Sequence, residues 1–352
     1  MSGTSLDGLD LAYCHIWKAT ESWAFSIEKT HSISYTRDMC AQLKNSIDLA
    51  AEELLCLHNW YGTWLGEQAK EFITVNDLEV HFIASHGHTT HHRPEKGLTY
   101  QIGSGQHLAN ASGHKVICDF RTNDVALGGQ GAPLVPIGDR LFFSQYDFCL
   151  NLGGISNISF EQGQERIAYD IGLANMLLNH ITQKIGLAYD KGGALARKGI
   201  LNQKMFGQLN ALEYYGLPFP KSTGYEWFVE KVVPIVDGTQ DTIENLLHTG
   251  VHHICEQVAV QVKANSQNRT TSLFVAGGGA LNDFMMETLQ EKLGAATTLV
   301  LTDPILIAFK EALVFTLMGV LRLEGVTNVL SSVTGASRDS SSGVVFLPGS
   351  GN

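Results

Sequence analysis

Several things are scarce or missing in this chain of 352 residues, and each absence excludes a class of protein. Cysteine is scarce. The six (Cys14, Cys40, Cys56, Cys118, Cys149 and Cys255) are scattered without a CxxC pair, so neither a disulfide framework nor a cysteine zinc site is expected. Cys14, Cys118 and Cys149 sit in strand-like runs and read as reduced core residues. No apolar run approaches the roughly 20 uninterrupted residues of a spanning helix, so no membrane segment is expected. The start, MSGTSLDGLD, carries acids where a secretion signal needs basic residues followed by an apolar stretch, which gives a cytoplasmic expectation. Basic residues are outnumbered, 24 Lys and Arg against 35 Asp and Glu, and they form no cluster, so nucleic acid and anionic membranes are not expected partners. No GxxxxGK[ST] loop occurs, and GSG at 103–105 is followed by Leu108 where a dinucleotide fingerprint needs a small residue.

What remains is the composition of a folded α/β protein, 44% hydrophobic and 17% charged. Residues 9–16, 23–34 and 81–85 read as strands, with a helical stretch over 38–74 between the second and third. The Gly- and Pro-bearing passage 128–139 then precedes a second strand set at 148–152, 155–160 and 166–169. The boundary is placed near 144, giving domains 1–144 and 145–352. From Ile243, the apolar residues Leu246, Leu247, Ile254, Val258 and Val262 follow helical spacing. A buried strand is expected at 273–276, and a helix from about Asn282, with parallel strands covered by helices. SGTSLDGLDLAYCHI and NLGGISNISF share the pattern of a strand and a glycine turn with polar residues, which suggests two similar α/β halves.

Three glycine turns follow or adjoin strands. The first, Gly3, Thr4, Ser5, Leu6, Asp7, Gly8, Leu9 and Asp10, offers backbone donors, hydroxyls and carboxylates, as a phosphate loop with magnesium would need. An ordinary hairpin turn uses the same residues. The others are NLGGISN, with Gly153 and Gly154, and VAGGGALN, with Gly277, Gly278 and Gly279. Tight turns or close helix packing would explain each of these as well. SHGHTTHHRP places His86, His88 and His91 at the HxHxxH spacing of a metallohydrolase, but Thr90 stands where a water-activating aspartate would be needed. The segment is therefore expected to be a polar loop, lining a cleft or exposed. Asp119, Arg121 and Asp124 follow a strand ending at Cys118, as ligand-binding groups or a surface ion pair. Asp170 follows a strand and precedes a helix, as a helix cap or a general base.

Taken in order, SGTSLDGLD, SHGHTTHHRP, TYQIGSG, DFRTNDVALGGQGAPLVP, NLGGISN, YDIGLANMLLN, YDKGGALARKG, PKSTGYEWF, VAGGGALND, FKEALVF and VTGAS resemble the anhydro-N-acetylmuramic acid kinases over essentially the whole chain. The resemblance implies two RNase H-like domains of the actin-like and sugar kinase fold, with nucleotide and sugar between them. It implies ATP and Mg2+ as cofactors and a cytoplasmic reaction of peptidoglycan recycling. In that reaction 1,6-anhydro-N-acetylmuramic acid, ATP and water give N-acetylmuramic acid 6-phosphate and ADP. It makes residues 3–10 the first phosphate loop, Gly153 and Gly154 part of the second, and Gly277 to Gly279 the adenosine-side turn. Asp170 falls on the catalytic aspartate, and His86, Arg121, Asp124 and Glu311 fall on polar substrate-binding positions. No resident transition metal is implied, and a homodimer is compatible with the resemblance. Ile171 and His88 replace a threonine and a glutamine of the family pattern. The family also carries a strand ahead of the first phosphate loop, which Met1 abuts here. The competing readings are a metallohydrolase built on His86, His88 and His91, and a non-catalytic ATP-binding protein of actin-like fold.

Overall fold

In a computed structural model of the chain, the described residues are 1–2, 6, 8–20 and 22–349. They divide into two compact units, residues 1–142 with 309–352 and residues 143–308.

The first unit opens with a hairpin of β1 (Gly8–Ala19) and β2 (Ser22–Ser34), in which Gly8 pairs with Ser34. Gly8 is required there, because a Cβ would meet the Ile33 carbonyl oxygen. The helix expected over 38–74 is two helices, Arg37–Lys44 and Ala51–Val75. Local side-chain bonds interrupt it: Ser46 Oγ donates to the Leu43 carbonyl at 2.7 Å, and Glu53 accepts from the Ala50 N–H at 3.2 Å. Such bonds let the backbone leave the helix and restart. The histidine segment, expected to be a polar loop, is a strand from His88 onward. β3 (Ile83–Ala84) leads to β4 (His88–Arg93), which pairs antiparallel with β5 (Leu98–Ile102), burying His88 and Thr90. β6 (Val116–Cys118), fully apolar and buried, then lies parallel to β3.

In the second unit, β7 (Phe148–Leu152), β8 (Ile155–Gln162) and β9 (Glu165–Leu173) form an antiparallel meander. β10 (Thr271–Ala276) and β11 (Thr297–Leu301) add to it parallel to β7, giving the order β11-β10-β7-β8-β9. That mixed order is the RNase H-like arrangement. The helix Ile243–Asn265 starts where Thr242 caps the Asn245 N–H at 3.2 Å, and buries Leu246, Leu247, Ile254, Val258 and Val262, the residues of the helical pattern. Asn282 caps the next helix, Asp283–Leu293, at 3.0 Å.

The chain does not stay in the second unit to its end. The helix Pro304–Leu323 is long and apolar enough to cross a membrane by length and composition, although Lys310, Glu311 and Arg322 interrupt its apolar runs. Half of its apolar window is buried within the protein. Val314 lies where a Cβ on Gly138 would clash, and Lys310 and Asp139 form a buried ion pair at 2.6 Å. β12 (Val344–Phe346) then pairs antiparallel with β6. Residues 309–352 therefore belong with the first unit, whereas a single run from 145 to 352 was expected. Pairing with a strand more than two hundred residues earlier leaves no local trace in sequence.

Among the described residues the strands of the first unit lie in three small sheets, β1-β2, β12-β6-β3 and β4-β5. A cavity of about 430 Å³ separates two of them. Its walls include residues 10–17 of β1, Ile83 and Ala84 of β3, and Phe315 and Thr316 of the long helix. Ser2 bridges antiparallel to Leu9, and Met1 exchanges backbone bonds with Asp10 at 2.6 and 2.9 Å, at one end of this cavity.

Candidate active site

In the second unit, two of the three glycine turns come together at strand ends. Gly277 has φ +83°, and a Cβ there would meet the Asn151 side chain at 2.7 Å and the Leu152 backbone at 2.8 Å. The turn after β10 thus lies against the turn after β7, because β7 and β10 are parallel neighbours and end together. Gly279 packs as closely on Leu152. Gly153 and Gly154 differ: a Cβ would come no nearer than 3.5 and 3.7 Å to other atoms, so packing within the fold does not demand glycine. Those positions leave backbone open to a ligand. Asn175, at the start of the helix Asn175–Gln183, donates from Nδ2 to the Leu152 carbonyl at 3.0 Å and ties that helix to the same turn.

Asp170 lies within β9, directly across from Asn157 of β8, next to a register shift. It is not the cap of the following helix, which starts at Asn175 after Ala174. The Thr223 N–H donates to its Oδ2 at 3.1 Å, while Oδ1 has no partner among the described residues. Its backbone is held as well: the Asp170 N–H donates to the Lys221 carbonyl at 3.1 Å, and the Tyr214 hydroxyl donates to the Asp170 carbonyl at 2.8 Å. Burial pushes the carboxyl above its ordinary range, and the Thr223 N–H pulls it partly back. A carboxylate so placed, with one oxygen fixed and the other open, has the geometry to accept a proton from a group held against it. Lys221 and Thr223 lie in the string PKSTGYEWF, which shows no recognisable chemistry on its own, and Tyr214 lies ahead of that string with no signal in the sequence.

In the first unit, His86, Arg121, Asp124 and Glu311 form a second polar set. Arg121 donates from Nε to His86 Nε2 at 3.0 Å and from Nη1 to the Gly131 carbonyl at 2.5 Å. Burial lowers the Arg121 pKa to about 10, opposed by Glu311 and Asp124. Burial also raises the Glu311 carboxyl, with Arg121 as the main counterweight. Asp124 is fully buried and both oxygens are taken, Oδ1 by the Thr334 hydroxyl at 2.7 Å and Oδ2 by the Gly131 N–H at 2.7 Å. It ties the GGQGAPLVP segment to the VTGAS segment from within the protein. Leu9 is core, 3% exposed, while Asp10 is partly exposed and accepts from Ser32 Oγ at 2.6 Å. Leu6 and Gly8 flank Asp7; Gly3, Thr4, Ser5 and Asp7 lie outside the described residues.

His86 is engaged within the fold. His86 Nε2 accepts from Arg121, and its Nδ1 lies 3.0 Å from the Gly87 carbonyl, so Nδ1 carries the proton and neither nitrogen has a free lone pair. Among the described residues, no three His, Cys, Asp or Glu side chains gather closely enough to share an ion.

The anhydro-N-acetylmuramic acid kinase family profile matches residues 1–348. A kinase of that description from Aliivibrio fischeri is 33% identical, covering 98% of this chain and 97% of its own length. One from Vibrio cholerae is 33% identical over 99% and 97%, and one from Pseudomonas putida 34% over 96% and 95%. Among solved structures, the activator of 2-hydroxyisocaproyl-CoA dehydratase from Clostridium difficile with bound ADPNP covers 86% of this chain and 96% of its own, at 12% identity and a TM-score of 0.36. A ROK family glucokinase from Streptomyces griseus, in complex with glucose and AMPPNP, covers 82% and 94% at 11% identity and a TM-score of 0.33. With a matching profile over nearly every residue and relatives a third identical end to end, the chain belongs to the anhydro-N-acetylmuramic acid kinase family.

Proposed function

We propose that the protein converts 1,6-anhydro-N-acetylmuramic acid, ATP and water into N-acetylmuramic acid 6-phosphate and ADP, in the cytoplasm, as a step of cell-wall recycling, and that it works as a homodimer. The observation that carries the chemical part is Asp170, a buried carboxylate with Oδ2 fixed by Thr223 and Oδ1 open.

The reaction asks for a base and for charge stabilisation. Water adds to the anomeric carbon, the bond from that carbon to O6 breaks, and O6 takes the γ-phosphoryl group as ADP leaves. Asp170 accepts the proton that the water loses on attack and later returns it to solvent. Phosphoryl transfer needs positioning and oriented dipoles more than covalent help. The turns at Gly153, Gly154 and Gly277 to Gly279 supply backbone N–H groups to the nucleotide, and the absence of a Cβ at Gly153 and Gly154, where neighbouring atoms come no nearer than ordinary van der Waals contact, suits close approach of phosphate oxygens. Mg2+, when bound with ATP, neutralises charge on the transferring phosphoryl group. Among described residues of the first loop Asp10 is the carboxylate suited to it through water, since Ser32 occupies only Oδ1. Arg121 and Glu311 orient the polar groups of the sugar, His86 holds the Arg121 guanidinium from behind, and Asp124 holds the loop that carries Gly131.

The test is turnover of the anhydro-sugar with ATP, followed by product mass. A product that has gained one water and one phosphoryl group supports the reading. A product that has gained the phosphoryl group alone, or ATP hydrolysis with the sugar unchanged, refutes it.

A further inference from the structure

Thr223 has no role in any reading given so far beyond its peptide N–H. It sits in the segment between the turn Glu213–Gly216 and the short helix Tyr225–Trp227. That segment is fastened to the strand bearing Asp170 at three points: the Tyr214 hydroxyl, the Lys221 carbonyl and the Thr223 N–H. The Lys221 ammonium also lies 4.8 Å from the Tyr214 ring and donates to the Tyr214 carbonyl at 3.2 Å, which stiffens the segment. Within it, the Thr223 hydroxyl is buried and has no hydrogen-bond partner among the described residues. Buried hydroxyls almost always find a partner, and leaving one without costs stability. Valine has the same shape and would avoid that cost, so packing alone does not account for a threonine here.

We propose that Thr223 is a positioning residue for the attacking water, its N–H holding Oδ2 of Asp170 and its hydroxyl oxygen accepting one hydrogen of the water whose other proton passes to Oδ1. The proposal rests on Asp170 being the base. Two acceptors on one water fix both of its hydrogens, so a lone pair is left pointing away from them toward the anomeric carbon. As the bond from oxygen to that carbon forms and the bond from the carbon to O6 breaks, one proton moves to Asp170 and the other stays on the new anomeric hydroxyl. The threonine neither gains nor loses a proton. A water fixed in this way is a geometric gain realised at the moment of attack, so it belongs in kcat rather than in substrate affinity.

Three variants of the full chain, Thr223→Val, Thr223→Ser and Asp170→Asn, test this through kcat, KM for the sugar, ATP affinity, melting temperature and the pH dependence of kcat. Thr223→Val keeps the N–H and is expected to lower kcat about ten- to hundredfold, with KM and ATP affinity within about twofold and melting temperature unchanged or higher. Thr223→Ser restores most of the lost rate. The acidic limb of the pH profile stays in place in both, since the bond to Oδ2 is retained. Unchanged turnover in Thr223→Val overturns the proposal. So does a loss that comes with a lower melting temperature and is not recovered by serine, which marks a structural threonine. Near-normal turnover in Asp170→Asn removes the base reading itself, and the proposal with it, whatever Thr223→Val does.

Discussion

Arg121 Nε and His86 Nε2 lie 3.0 Å apart, and the guanidinium is the donor. An arginine has no lone pair to offer, so the imidazole accepts, and its other nitrogen donates to the Gly87 carbonyl. The neutral ring is thereby fixed in one tautomer. Burial and the Arg121 charge hold its pKa well below the ordinary histidine value. His88, His92 and His253 are also lowered, chiefly by burial, His253 to about 3.

These shifts predict loss of stability on mild acidification. A histidine whose folded pKa is depressed binds fewer protons folded than unfolded. Its stabilising effect is therefore present above the unfolded value, about 6.5, and is lost as pH falls below it toward the folded value. Melting temperature is expected to fall between pH 7 and pH 5, and less steeply in His86→Gln. An equal slope in the variant would exclude His86 as a source.

His91 and His92 are expected to be dispensable for turnover. They lie on β4, half-buried, and His92 Nδ1 meets the Thr99 hydroxyl at 3.1 Å. Replacing both with alanine should leave kcat within about twofold and cost roughly 1 kcal/mol of stability through that one bond. Elemental analysis alongside the assay decides the matter: a stoichiometric transition metal lost together with activity would restore the hydrolase reading.

Asp170→Asn should separate catalysis from folding in opposite directions. Turnover is expected to drop on the order of 10²–10⁴-fold, because the amide cannot take a proton, with nucleotide affinity little changed. The raised folded pKa of Asp170 means that the folded state holds its proton more tightly than the unfolded one. This group therefore costs no stability below the unfolded carboxylate value, and its cost grows as pH rises through the folded pKa. Asparagine removes that cost, so at pH 7 the variant should melt no lower than the parent. A variant both inactive and much less stable would point to a structural aspartate.

The cavity beside β1 predicts the effect of extending the chain. Met1 already pairs antiparallel with Asp10, and its α-amine is buried, with a pKa lowered to about 6. A peptide N–H in that place would carry no charge to desolvate. Residues continuing ahead of Met1 would run along residues 11–17 of β1 and face Ile83 and Ala84 of β3. Adding an apolar extended segment of about six residues there should raise the melting temperature, and hydrogen exchange at β1 should slow. If the added segment leaves both unchanged, the cavity does not take a strand.

Local chemistry makes much of this protein legible in its sequence. The helical spacing from Ile243 to Val262, the short apolar strands 148–152 and 273–276 and the glycine turns that follow them depend on near neighbours, and all formed as read. So did the family, since its motifs are strings of adjacent residues. The tertiary structure alone decided the rest. Leu9, inside a loop that reads as a ligand cradle, is core because β1 packs it inward. Asp124 spends both oxygens on Gly131 and on Thr334, the latter 210 residues away. Residues 309–352 return to the first unit, and Thr223 meets Asp170 across 53 positions. Periodicity and turn propensity report what a residue does with neighbours a few positions off. Which distant groups satisfy a buried carboxylate, or leave a hydroxyl without a partner, is settled only when the strands have paired.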